Sequence, residues 1–191
     1  LEQDLRPRDI LTSQAFENAL RGEMALGCST NSVLHLTAIA HEAGVPLDID
    51  KIDELGRTTP QICKLNPASQ VFITDLNQVG GIPAVMKELS RKGLIHLDLQ
   101  TVYGTVRDRV EAAPDADGEI IRKMENPFRA DGGIAVLKGN ICPEGSVVKQ
   151  GAVAPEMMQH VGPARCFDCE EDASEAILSG KIKEGDVVVI R

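Results

Sequence analysis

Residues 10–44 read ILTSQAFENALRGEMALGCSTNSVLHLTAIAHEAG, and this stretch predicts two helices joined by a short loop. Apolar residues recur at helical spacing from Ile10 to Leu20 or a little beyond. A second apolar stripe runs from Val33 to Ala43, and Gly44 is placed to end that helix. The loop between the helices, GCSTN at Gly27–Asn31, is rich in small and hydroxyl-bearing residues.

Helical patterning continues to about Arg129. Either Thr12 or Ser13 can cap the first helix, because both hydroxyls suit an N-cap position. The remaining predictions for this part are short helices at Ile49–Leu55 and Pro60–Leu65, a strand at Val71–Thr74, a firmer helix at Pro83–Gly93 and a weaker one at Thr105–Ala112.

The pattern then changes from helical to strand-like. Residues 114–129 are charged and contain two prolines, which predicts a linker or interdomain strap. One further helix is predicted at Ala173–Leu178. Apolar runs separated by glycine and proline turns predict strands at Ile134–Leu137, Ser146–Lys149, Ala164–Phe167 and Val187–Ile190. The predicted fold class is α/β, and an apolar strand so close to Arg191 suggests a fragment of a longer chain.

Composition limits the classes of partner. The chain has 42% hydrophobic and 26% charged residues, which is typical of a globular protein. A net charge of −9 and only five Phe or Tyr disfavour nucleic acid and anionic membranes as partners. No apolar run approaches the ~18 residues that span a bilayer, so a cytoplasmic protein is expected. The five cysteines, an odd number, are expected to be reduced.

The GCSTN loop is the most suggestive candidate site. A small-residue loop that enters a helix presents N–H groups and hydroxyls to an anion such as a carboxylate. The favoured alternative is that Ser29, Thr30 or Asn31 caps a helix that begins near Ser32. Cys28 in this loop is favoured as a small hydrophobe, and the alternative is a thiol whose pKa is lowered by the nearby helix N-terminus.

Other motifs point to no reaction. Cys166 and Cys169 form a CxxC without a second pair, so zinc or thiol exchange is a minor hypothesis beside buried thiols. Cys63 is expected to be a small hydrophobe. Histidines at positions 35, 41, 96 and 160 show no metal-binding spacing, and structural roles are favoured for them.

Six stretches nevertheless resemble one enzyme family in order and spacing. They are AFENAL (15–20), MALGCSTNSVLHLTAIAHEAGVP (24–46), VGGIPAVMKELSRKGLIH (79–96), DGGIAVLKGNICPEGSVVK (131–149), GPARCFD (162–168) and EAILSGKIKEGDVVVIR (175–191). Together they resemble the dihydroxy-acid dehydratases, within the family that also contains phosphogluconate and sugar-acid dehydratases. The PEGSVVK and AILSGKIKEGDVVVIR forms are more similar to the branched-chain amino-acid enzyme.

This resemblance implies a lyase that removes water from a 2,3-dihydroxy acid to give a 2-keto acid in valine and isoleucine synthesis. It implies an iron–sulfur cluster as Lewis acid on the departing hydroxyl, Mg²⁺ on the carboxylate side and a general base for the α proton. The family's cluster cysteines, magnesium ligands and serine base match no residue here. The resemblance therefore places no catalytic or metal-binding residue in this chain, and Ser29, Thr30 and Asn31 are the candidates for lining the substrate site.

The resemblance also implies a domain arrangement. Residues 1–128 would end an N-terminal helix-flanked α/β domain, and residues 129–191 would begin a C-terminal β-barrel domain. A homodimer or homotetramer is implied for the full-length enzyme, and the fragment alone is expected to be inactive. Alternatives are a sugar-acid or phosphogluconate dehydratase, a non-catalytic interaction domain derived from the fold, and a small zinc or redox protein that uses Cys166 and Cys169.

Overall fold

A computed structural model describes residues 4–191, and these residues form a mixed α/β structure. They divide into two compact units, the first extending to Ala152 and the second comprising Val153–Arg191. The prediction of an α/β chain is therefore confirmed. The domain boundary predicted at residues 128/129 concerns the complete enzyme and stays a prediction.

The first unit is mainly helical. Its helices are α1 (Pro7–Ile10), α2 (Ser13–Leu26), α3 (Asn31–Ala43), α4 (Ile49–Thr58), α5 (Ile73–Gln78), α6 (Gly81–Ser90) and α7 (Val106–Ala112). Thr12 caps α2 as predicted, because its hydroxyl accepts a hydrogen bond from the N–H of Ala15 at 3.2 Å. Gly44, in the left-handed conformation, ends α3.

Helix α2 is shared by two hydrophobic clusters. Ala25 and Leu26 pack into a cluster built mainly from α5, α6 and the segments around Ile62 and Ile121. On another side of the helix, Leu20 and Met24 pack against α4 and the hairpin formed by strands β1 (Ala135–Leu137) and β2 (Ser146–Val148). The two faces of α2 that carry these residues are therefore enclosed, and a polar residue on them is removed from water.

Three predictions in this unit were wrong. Pro60–Leu65 forms no helix, because Gln61 pairs with Arg129 in an isolated β-bridge. Val71–Thr74 is no strand, because the carboxylate of Asp75 accepts the N–H of Phe72 and begins α5. Residues 114–129 form no loose linker, since Ile121 is fully buried and the N–H of Arg122 donates to the carbonyl of Ile62 at 2.8 Å.

The second unit is a strand–helix–strand arrangement. Strand β3 (Ala164–Phe167) pairs in parallel with β4 (Val187–Ile190), and α8 (Glu170–Leu178) connects them and contacts both. Both strands begin and end where the sequence predicts. Two 3₁₀ turns, Gln150–Ala152 and Pro155–Met157, lie close to the division between the units.

Within residues 4–191 the four strands make two separate two-stranded sheets and close no barrel. Among the helices of this range, none is both long and apolar enough to cross a membrane.

Candidate functional site

The loop between α2 and α3 is fixed by a close approach of two glycines. Gly27 ends α2 with φ +63°, and its N–H donates to the carbonyl of Glu23 at 2.9 Å. A Cβ on Gly133 would lie 2.4 Å from the Cα of Gly27, so no larger residue fits without moving backbone. The segment that contains Gly133 and leads into β1 thus holds the start of the loop in place.

Ser29 organises the first turn of α3, which begins at Asn31, next to Ser32 as predicted. The Ser29 hydroxyl accepts a hydrogen bond from the N–H of Asn31 at 3.2 Å, and its carbonyl accepts the hydroxyl of Ser32. Thr30 occupies the N-cap position but makes no side-chain cap. Within residues 4–191 the side chains of Thr30 and Asn31 form no hydrogen bond, and Asn31 is exposed whereas Thr30 is half-buried.

A cavity of about 860 Å³ opens beside this loop. Its walls come from α1, α2, the start of α3, α6, residues 99–101 and α7, and most of its surface is apolar. Ser29 and Asn31 line the cavity, whereas Thr30 does not. The structure therefore brings two of the three predicted substrate-site residues to one wall.

The sequence analysis missed Glu23, which also lines this cavity. Its residue surface is only 6% exposed, and neither carboxylate oxygen has a hydrogen-bond partner among the described residues. Burial raises the pKa of Glu23 from 4.5 to about 7. A signal existed in the sequence, because Glu23 follows Phe16 and Leu20 at helical spacing on the buried face of α2.

The structure agrees with Cys28 as a small hydrophobe and contradicts the alternative of a lowered pKa. Burial raises the pKa of its thiol to about 11, and the nearby Glu23 carboxylate adds to the rise. Burial likewise raises the pKa of Cys63 to about 12, which fits the predicted role of a small hydrophobe. Both thiols stay protonated at neutral pH and are poor nucleophiles.

The CxxC pair lies in the second unit. Cys166 is exposed on β3, so the expectation of a buried or partly buried thiol was wrong for it, whereas Cys169, half-buried immediately before α8, fits that expectation; both are free thiols. Two histidines have structural partners: His96 bonds the carboxylate of Glu17 at 2.8 Å, and His160 bonds the carbonyl of Gly185 at 3.0 Å.

No three His, Cys, Asp or Glu side chains are gathered to hold a metal ion in the part of the chain that the structure describes. The possible metal ligands among the described residues are therefore not arranged to hold an iron–sulfur cluster or Mg²⁺. The prediction that such ligands lie on other segments stays a prediction.

Comparisons with known proteins cover the whole chain. The family model described as dihydroxy-acid/6-phosphogluconate dehydratase N-terminal matches residues 1–109, and its C-terminal counterpart matches residues 119–191. Proteins named dihydroxy-acid dehydratase from Acetivibrio thermocellus, Lachnoclostridium phytofermentans and Aquifex aeolicus are 59%, 58% and 53% identical over 100% of the chain. The chain spans 35%, 34% and 35% of their respective lengths, about a third in each case.

Proposed function

The chain belongs to the dihydroxy-acid/6-phosphogluconate dehydratase family, and on that premise we propose that it is part of a hydro-lyase. The complete enzyme would convert 2,3-dihydroxy acids to 2-keto acids in valine and isoleucine biosynthesis. The observation that carries this proposal is the 53–59% identity, over the whole chain, to proteins named dihydroxy-acid dehydratase.

The proposed reaction removes the proton from C2 and hydroxide from C3, and the resulting enol becomes the 2-keto acid. Hydroxide is a poor leaving group, so the step needs a Lewis acid, which an iron–sulfur cluster and Mg²⁺ would supply. The described residues do not form a site for either group. Their ligands and the general base are therefore proposed to lie on other segments of the polypeptide.

Within this chain we propose the loop Ser29–Thr30–Asn31 as lining of the substrate site. Ser29 and Asn31 lie on the cavity wall, and the Asn31 amide makes no hydrogen bond within the described range. The loop enters the 13-residue helix α3, whose N-terminal dipole favours a carboxylate. Together these groups suit the acid end of the substrate.

Asn31→Ala in the complete enzyme tests this role. We expect KM for the dihydroxy acid to rise about 10-fold, the value of one hydrogen bond to a charged group. Asn140→Ala, an exposed asparagine outside the cavity, is the matched control. If both variants keep the wild-type KM and kcat, the loop is structural.

The finer domain description is also a proposal. Residues 1–128 would complete the N-terminal α/β domain, and residues 129–191 would begin a C-terminal β-barrel whose remaining strands lie elsewhere in the chain. The two separate two-stranded sheets are compatible with a barrel that needs further strands to close. A cytoplasmic homodimer or homotetramer is proposed for the complete enzyme.

Substrate choice within the family can be tested by turnover. The complete polypeptide, purified without oxygen and supplied with iron, sulfide and Mg²⁺, should dehydrate 2,3-dihydroxyisovalerate at least 100-fold more efficiently than 6-phosphogluconate, by kcat/KM. The reverse preference would make it a phosphogluconate dehydratase. Residues 1–191 alone should show no turnover, since a site assembled from distant segments needs all of them.

A further inference from the structure

A buried carboxyl group lies one helical turn before the candidate loop. Glu23 is only 6% exposed, and both of its carboxylate oxygens are sealed from solvent without a hydrogen-bond partner among residues 4–191. Its backbone carbonyl accepts the N–H of Gly27 at 2.9 Å and the N–H of Cys28 at 3.3 Å. The residue whose side chain is buried without a partner is therefore also the residue that holds the start of the loop.

The charged groups around Glu23 have other partners. On α2 itself, Arg21 donates to the hydroxyl of Thr59 at 2.7 Å, and Glu17 pairs with Lys51. Strands β1 and β2 carry no ionisable side chain. The ionisable side chains of α4 and α6, the helices that pack along α2, all form ion pairs with residues other than Glu23; they are Asp50, Lys51, Asp53, Glu54, Arg57, Lys87 and Glu88.

The loop and the cavity wall supply no counter-charge either. Cys28, His35 and Arg109 line the cavity together with Glu23, and within the described range none of them bonds to its oxygens. The charge of Lys149 acts on the Cys28 thiol, whereas burial alone raises the pKa of Glu23 to about 7. An ionised carboxylate without a partner is far more costly to bury than the neutral acid. This packing therefore favours the protonated form of Glu23.

Water reaches an ionised Glu23 only if the packing around it opens. Two faces of α2 are enclosed by hydrophobic clusters, whereas the loop that begins at Gly27 is tied to Glu23 by two backbone hydrogen bonds. We propose that this contact is pH-sensitive: the neutral acid keeps the Gly27–Asn31 loop seated on α2, and ionisation of Glu23 releases the loop. The consequence for substrate binding rests on the proposed function of Ser29 and Asn31, but the release of the loop does not.

The direction of the pH effect follows from the two states of the loop. When the loop is released, Glu23 is hydrated and has its ordinary pKa of 4.5, whereas its pKa in the closed state is about 7. The closed state is therefore most stable below pH 4.5 and weakens as the pH rises towards 7. Above that value both states are ionised and the equilibrium levels off. Release should increase roughly 20-fold between about pH 5.5 and pH 7.5.

Hydrogen exchange of the complete polypeptide over this pH range tests the proposal. The reporters are the amides of Gly27 and Cys28, because both donate to Glu23, and each rate is divided by the intrinsic exchange rate at that pH. We expect their protection to fall about 20-fold from about pH 5.5 to pH 7.5 in the wild type. Protection should stay level in Glu23→Gln, whose amide carries no proton to lose. Amides of α8, in the second unit, are the internal reference and should also stay level.

Two further variants complete the experiment. Glu42→Gln removes an exposed acid from α3 and is the matched control, which should keep the wild-type pH profile. Glu23→Met, similar in size and uncharged, takes the place of the amide variant if that variant does not fold, and it should also give level protection. A level profile in the wild type, the same fall in an uncharged variant, or an equal fall in α8 would overturn the proposal. Exchange is measured without substrate, so a failure of the proposed dehydration leaves this test unaffected.

Discussion

Replacing Gly133 by alanine tests how the hairpin positions the candidate site. The new Cβ would lie 2.4 Å from the Cα and 3.2 Å from the N of Gly27, and 3.3 Å from the Gln61 side-chain carbon Cδ. Carbon atoms in contact are normally about 3.5–4.0 Å apart, so the backbone of Gly27 must move by more than about 1 Å. Overpacking costs about 1–3 kcal/mol, and a backbone neighbour puts this substitution near 3 kcal/mol.

The assay is hydrogen exchange of the α2 and α3 amides in the complete polypeptide. A loss of about 3 kcal/mol of stability makes hydrogen exchange roughly 100-fold faster for those amides that exchange only when the loop separates from the hairpin. KM should rise as well, because the loop carries Ser29 and Asn31. Gly139→Ala is the control, since a Cβ there meets nothing within 4 Å and its φ is not in the left-handed range. Equal exchange rates in the two variants would refute the idea that this contact holds the loop.

Two further substitutions probe the helix that carries the site. Thr12→Ala removes the side-chain acceptor for the N–H of Ala15 and should lower stability by about 1 kcal/mol, measured as faster exchange in the first turn of α2; unchanged exchange would mean that the cap is dispensable. His96→Ala should raise the pKa of Glu17, followed by NMR titration, because the His96 hydrogen bond is the main cause that lowers it and alanine has no donor to replace it. Since the folded-state pKa of Glu17 lies below 4.5, its stabilising contribution is present above pH 4.5 and is lost as the pH falls through the lowered value. A wild-type Glu17 titration in the variant would show that His96 is not the cause.

Local signals in the sequence were sufficient where local interactions determine the structure. Gly44 ends α3 through its left-handed backbone, and β3 and β4 lie where apolar runs are bounded by turns. Thr12 was one of two candidate caps, and the structure selects it. For Gly44 and Thr12 the deciding conformation or hydrogen bond involves near neighbours in the chain, whereas β3 and β4 pair across 23 positions and were visible through their own apolar runs.

Long-range contacts explain the failures. Gln61 is held by Arg129, 68 positions away, and no periodicity near Gln61 signals that bridge. The candidate loop was visible because its small residues are contiguous. The cavity was not, since its wall joins α2 to residues 82–110, and Glu23 gains its raised pKa only through burial in the folded chain. The one signal for Glu23 in the sequence was an acidic residue at helical spacing from the apolar Phe16 and Leu20.

The proposal that this chain is part of a dihydroxy-acid dehydratase can be tested by growth of a bacterial host that lacks its own dihydroxy-acid dehydratase, with the complete gene supplied in trans. We expect growth without added valine and isoleucine, and no growth when only residues 1–191 are supplied. If the complete gene fails to restore growth although the folded protein is present at normal levels, the polypeptide is not a dihydroxy-acid dehydratase.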